Sequence, residues 1–212
     1  MTVVPLVPVR SAGAARHRPT VDAATRRRRR LRLAAVLAGA ALRSLRAPVC
    51  GTRGRRRLVV CGAARALTAL GVRVDVRAAP AAWPRTGPGY LVVVADRVGW
   101  LDGLALLTAV PGLPVATPEV AGWPGLGRLV RRSGVAVLDP AGRCVLPAAA
   151  HDPAAAICPV ELRHAHGAPA AGRLTWRGLA EVVAARDVVV TVHLLAPLDR
   201  APAGQLARDV RG

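Results

Sequence analysis

Few side chains in this sequence can move a proton or hold a metal. It has five histidines, four cysteines and twelve acids against 31 arginines, and no lysine at all. Arg97 and Asp102 stand five positions apart, immediately ahead of an apolar run. Arginine keeps its proton in proteins, with a pKa above ~12, so Arg97 cannot act as a base. A carboxylate at this spacing is expected to pair with it, in the bidentate form that a guanidinium fork allows. His151 and Asp152 are sequence neighbours, which seldom brings the two side chains into a productive hydrogen bond. His164 and His166 flank Ala165 and point the same way on an extended chain. They could supply two metal ligands, but no third is suggested, so they read as exposed polar residues near a turn, and no metal is assigned. His193 lies within an apolar run and reads as structural. Cys50, Cys61, Cys144 and Cys158 form no Cys-x-x-Cys pair; buried free thiols are the expected state.

The elements that must position these groups alternate in type. Residues 26–47 read as a helix, with Leu31, Leu33, Val36, Leu37, Ala40, Ala41 and Leu45 as apolar positions and Pro48 as its stop. Leu58–Val76 has the outline of a dinucleotide-binding unit, but only Gly62 sits where three glycines are needed. A helix through about 55–70, capped by Gly71 and followed by strand Val72–Val76, explains the segment better. Leu91–Ala95 is wholly apolar and fits a buried parallel strand. Leu101–Ala109 reads as a helix capped near Gly99–Asp102. Val115–Ala116 and Val135–Leu138 read as strands, with an amphipathic helix between them after a Trp-Pro turn. Pro159–Leu162 and Val188–Leu195 are further strands around helix Trp176–Ala185. Short strands alternating with helices predict an α/β domain, a layered mixed sheet flanked by helices. Trp83, Trp100, Trp123 and Trp176 read as core or interface anchors.

Charge divides the chain. Residues 1–57 hold 15 arginines against Asp22 alone, a net of +14 of the chain's +19. The expected organisation is a disordered basic tail at 1–25, a basic membrane-associated helix and linker at 26–57, and the folded domain at 58–212. The apolar centre at Leu33–Leu42 is too short to span a bilayer, which takes about 20 residues. It can lie in a lipid interface with arginine heads reaching phosphates. Packing on the domain is the other reading. Aromatic residues are only 2% of the chain and no nucleic-acid module is present, which argues against nucleic acid as the partner of the arginine leader.

Residues 89–139 contain "WLDGLALL" and "PEVAGWPGLGRLVRRSGVAVLD", and "ICPVELRH" and "VVVTVHLLAPLD" follow in order. Over about residues 58–200 this framework resembles the glycerolipid acyltransferases, the 1-acylglycerol-3-phosphate acyltransferases. The resemblance implies that family's fold, a basic N-terminal helical leader on it, and a place at the cytoplasmic face of the cell membrane, peripheral or monotopic. It implies acyl transfer from acyl-CoA or acyl-carrier protein to 1-acylglycerol 3-phosphate, with no other cofactor. Expected partners are anionic membrane lipid, acyl-CoA and lysophospholipid. In the family an Asn-His-x-x-x-x-Asp motif supplies a histidine base, which an aspartate orients.

Here Asp96 and Arg97 replace the Asn-His pair, and Asp102 keeps its place. The family's Phe-Pro-Glu-Gly motif is absent, and the stretch between 139 and 159 is shortened. Arg131, Arg132 and Arg143 are the candidates for holding the glycerol-phosphate end, and Arg97 and Asp102 mark the catalytic position. The departures predict an impaired enzyme. The alternatives are an active acyltransferase with an atypical acceptor or base, and a nucleic-acid-binding protein using the arginine leader.

Overall fold

The computed structural model describes residues 20–46, 51–78, 90–94, 99–110, 115–138, 143–144, 156–165 and 175–197. The chain starts with helix α1 (Ala23–Arg46), helix α2 (Thr52–Leu70) and strand β1 (Val72–Ala78). Strand β2 (Tyr90–Val94) and helix α3 (Trp100–Ala109) follow, then strand β3 (Val115–Ala116), helices α4 (Pro118–Ala121) and α5 (Leu126–Ser133), and strand β4 (Ala136–Val137). Strands β5 (Arg143–Cys144) and β6 (Ala156–His164), helix α6 (Trp176–Ala184) and strand β7 (Val188–Leu194) complete it.

Five strands form one mixed sheet in the order β1-β7-β6-β2-β5, and β3 and β4 form a separate parallel pair. Within the large sheet β1 runs parallel to β7, and β2 runs parallel to β6. Strands β6 and β7 are antiparallel. The expected mixed sheet and α/β class are therefore what the chain adopts, including the parallel pairing of the apolar β2.

Local chemistry accounts for most element ends. Gly71 closes α2 with φ 73° and ψ 30°, and its N–H reaches the carbonyls of Leu67 and Thr68; this left-handed cap is costly for any residue with a Cβ. Helix α2 is thus one continuous element that runs across the expected boundary at 57/58. Its buried face carries Val59, Gly62, Ala63, Ala66, Leu67 and Leu70 at helical spacing. Thr175 starts α6 by accepting from the Gly178 N–H at 3.0 Å, an ordinary N-cap.

Helix α1 is not a detached leader. Leu33, Ala40 and Ser44 are buried and Leu37 is partly so. Their spacing of three and four puts them on one stripe, which packs against α2, α5 and α6. Residues 20–25 were expected in the disordered tail. Instead Thr20 bridges Ala185, the Val21 N–H donates to the Ala184 carbonyl at 2.8 Å, and the helix begins at Ala23. Backbone partners on α6 hold this segment, a long-range contact that composition does not report. Residues 1–19 lie outside the described residues.

Arginine in α1 also does structural work. Arg29 Nη1 donates to the carbonyls of Val183 at 3.1 Å and Ala185 at 2.7 Å. These are carbonyls at the C-terminus of α6, where a cation offsets the helix dipole.

Candidate active site

Helix α3 begins at the end of the sheet where β2 finishes. Gly99 is its N-cap and Asp102 its third residue. The Asp102 side chain turns back, and its Oδ2 accepts from the Gly99 N–H at 2.7 Å. A carboxylate at the third helical position satisfies a free N–H in this way and also sits at the favourable end of the helix dipole. Asp102 is buried, at 4% exposure.

The second oxygen of Asp102 meets a histidine. His164 Nε2 lies 2.7 Å from Asp102 Oδ1. The contact has ion-pair distance but is not a hydrogen bond: Asp102 Oδ1 and His164 Nδ1 are both buried with no hydrogen-bond partner among the described residues. The two side chains are only 12% and 6% exposed. This corrects the expectation of His164 as an exposed polar residue near a turn.

The cause is register. Strand β6 pairs with β2 as far as Val94 opposite Val160, then continues for four residues to His164, which lies opposite Val190 of β7. Side chains on a strand alternate between faces. Cys158 and Val160 are buried, and Leu162 packs against the core; His164 is in phase with them. Glu161 and Arg163 share the other face and pair with each other, Arg163 Nε donating to Glu161 Oε1 at 2.9 Å. The parallel pairing with β2 brings the carboxyl end of β6 beside the start of α3. Ligand sites of α/β sheets lie at that end.

Arg97 and His166 lie outside the described residues, as do His151 and Trp83, and the expected Arg97–Asp102 pair lies outside them with Arg97. His193 is half-buried on β7, in the structural place expected for it.

The candidate phosphate-binding arginines Arg131 and Arg132 are exposed, and each also holds a backbone carbonyl. Arg131 Nη1 donates to the Ala121 carbonyl at the end of α4. Arg132 Nη1 donates to the Ser44 carbonyl in α1 at 3.1 Å. Each ties down a helix C-terminal carbonyl, and neither is joined to Asp102 or His164 by a described contact. The side chain of Arg143 lies outside the described ones.

Trp100 and Trp123 are the expected core anchors, with ring centroids 5.6 Å apart. Both indole nitrogens are buried without a hydrogen-bond partner among the described residues. Trp176 is not a core anchor, at 88% exposure on the first turn of α6, which leaves the interface half of the expectation. Together with Leu33, Leu37, Trp123, Pro124, Thr175 and Leu179 it lines a cavity of about 510 Å³. That lining is almost wholly apolar, and the volume lies within the ~300–1,000 Å³ usual for small-molecule sites.

Of the described cysteines, Cys158 is buried as expected, whereas Cys61 is exposed on α2. Burial pushes the Cys158 thiol up to about 11, so it is not a thiolate nucleophile near neutral pH.

No protein-family profile matches the sequence. The chain is 31% identical over 88 residues to a 1-acyl-sn-glycerol-3-phosphate acyltransferase of Neisseria gonorrhoeae, a match spanning 41% of this chain and 32% of that relative. Among solved structures it superposes on the 1-acyl-sn-glycerophosphate acyltransferase PlsC of Thermotoga maritima with a TM-score of 0.54. That superposition covers 89% of this chain and 91% of that one, at 14% identity. This is the glycerolipid acyltransferase fold. The sequence match and the superposition together support a relationship to that family. The chain spans about a third of the length of the curated relative that it matches. The Asp102–His164 pair brings together a carboxylate from α3 and an imidazole from β6.

Proposed function

We propose that this chain is an acyltransferase that passes an acyl group from a thioester to a lysophospholipid such as 1-acylglycerol 3-phosphate, at a membrane surface. The observation that carries the reading is the buried Asp102 carboxylate. It sits at the head of α3, in the position of the family's acidic motif residue, and Gly99 holds it there. The apolar cavity behind Trp123 suits an acyl chain. Acyl-CoA and acyl-carrier protein are the two donor classes that the relatives' chemistry suggests.

A second reading is a scaffold that binds these lipids without turnover, and Arg97 at the family's base position favours it. Incubation with acyl-CoA and lysophosphatidate separates the two. The first reading expects thioester loss matched mole for mole by new diacyl product. Lysophosphatidate binding with no thioester loss above blank supports the second.

The membrane part rests on α1. Among the described residues, no helix is long and apolar enough to cross a membrane. Opposite its buried stripe, however, α1 exposes Leu31 at 62%, Leu42 at 67% and Leu45 at 67%. An apolar stripe flanked by arginines suits an interfacial helix at the face of an anionic membrane. Vesicles with anionic lipid should sediment the protein, and Leu42→Asp with Leu45→Asp should abolish this while leaving the far-ultraviolet circular dichroism unchanged. Undiminished sedimentation of the double variant would remove α1 as the anchor. Loss of wild-type binding to added DNA competitor would instead favour a nucleic-acid partner.

A further inference from the structure

We propose that His164, the last residue of β6, is the general base of this protein. The inference rests on the acyl-transfer reading above and names the group that would perform its proton transfer.

Three observations carry it. Arg97 occupies the position where a base would precede Asp102, and arginine cannot release its proton near neutral pH. Asp102 keeps one oxygen on Gly99 and turns the other toward an imidazole nitrogen at 2.7 Å. The second imidazole nitrogen, Nδ1, is buried with no partner among the described residues, an unsatisfied interior group of the kind that a catalytic role explains. Once that carboxylate oxygen accepts from the facing ring N–H, it fixes the tautomer and leaves the other nitrogen's lone pair to accept a proton. The loose alignment of the His164–Asp102 contact is usual for a catalytic pair without substrate, since such bonds tighten in the complex.

The proton balance is simple. His164 Nδ1 takes the proton of the acceptor hydroxyl as that oxygen bonds to the thioester carbonyl carbon, whose oxygen becomes an oxyanion. Collapse of the tetrahedral species reforms the carbonyl and breaks the carbon–sulfur bond. The departing thiolate takes the proton back from the imidazolium. Ester and free thiol are formed, and the base returns to its starting state. Asp102 stays ionised throughout and offsets the transient imidazolium charge.

The test measures transfer from acyl-CoA to lysophosphatidate by the full chain, by His164→Gln, and by His164→Gln combined with Arg97→His. His164→Gln is expected to lower kcat by about 10²–10⁴-fold, the usual worth of a general base, with KM and the thermal midpoint little changed. Adding Arg97→His is expected to restore part of the rate, because it returns a histidine to the position where the family motif carries one. Wild-type turnover that survives in His164→Gln overturns this proposal while leaving the acyl-transfer reading in place. Absence of wild-type turnover overturns both.

Should His164→Gln fail to fold, the wild-type chain still decides. Carbethoxylation of histidines, mapped by mass spectrometry, should inactivate in step with modification of His164, and lysophosphatidate should protect both. Full activity with His164 modified would overturn the assignment.

Discussion

Asp102→Asn is expected to lower the acyl-transfer kcat by about 10⁴-fold, the scale seen when the carboxylate behind a catalytic imidazole becomes an amide. The substitution keeps the volume of the side chain. Its amide oxygen can still accept from the Gly99 N–H that Asp102 Oδ2 now satisfies, so α3 retains its start. The amide NH₂ then faces His164 Nε2 across the present 2.7 Å gap. A donor there requires a lone pair on Nε2, which places the ring proton on Nδ1 and removes the base. The imidazolium formed during transfer also loses its counter-charge. Single-turnover rates beside a thermal melt will read this: a 10⁴-fold fall with a midpoint shifted by no more than a few degrees. A change of only two- or threefold would reduce Asp102 to a helix-capping residue.

Gly125→Ala should be strongly destabilising, because it combines a strained backbone with a backbone clash. Gly125 has φ 73° and ψ −66°, close to the rare, strained γ-turn conformation. A Cβ there would lie 2.6 Å from the Ala41 nitrogen and 2.7 Å from the Leu37 carbonyl oxygen, both in the backbone of α1. Helix backbone cannot move aside as a flexible side chain can, so α1 must shift. Dihedral strain of about 1–2 kcal/mol adds to an overpacking cost of about 1–3 kcal/mol. A loss of roughly 2–5 kcal/mol is a large share of the ~5–15 kcal/mol that holds a domain together.

Gly134 provides the control. Its φ is 64°, and a Cβ there would meet nothing within 4 Å, so Gly134→Ala should cost only the strain. Chemical denaturation of the two variants should show Gly125→Ala unfolding at the lower midpoint. Equal midpoints would mean that α1 does not press on the Trp-Pro turn.

Much of the local structure was readable from residue order. Helix α2 with its Gly71 cap, strand β1 and the apolar β2 follow from period, glycine position and apolar runs. So do α3, read from Leu101 and observed from Trp100, and α6 beginning at Trp176. These signals act over one or two turns of chain, so they are present before any tertiary contact forms. The roles assigned to Arg131 and Arg132 were not readable in the same way. A guanidinium reaches whichever carbonyl the fold sets near it, and in a chain whose only strong base is arginine its identity carries little information.

Strand β6 shows where reading stopped short. Ending it at Leu162 left His164 in a turn. Extending the alternation of Cys158, Val160 and Leu162 by one more step puts His164 on the core face, so a signal was present in the period of two. That signal gives a face and no partner.

The sequence by itself determined the α/β class, most element positions, the resemblance to glycerolipid acyltransferases and the loss of a base at Arg97. It also placed Asp102 at the head of α3. Only the tertiary structure decided that Asp102 faces His164, 62 residues further along the chain, and that α1 packs on the domain with an apolar stripe left outside. The physical reason is the same for both. Periodicity specifies which side of an element turns inward, whereas the neighbour it meets is set by sheet order and helix packing. Here the parallel pairing of β2 with β6 carries an imidazole to the carboxylate.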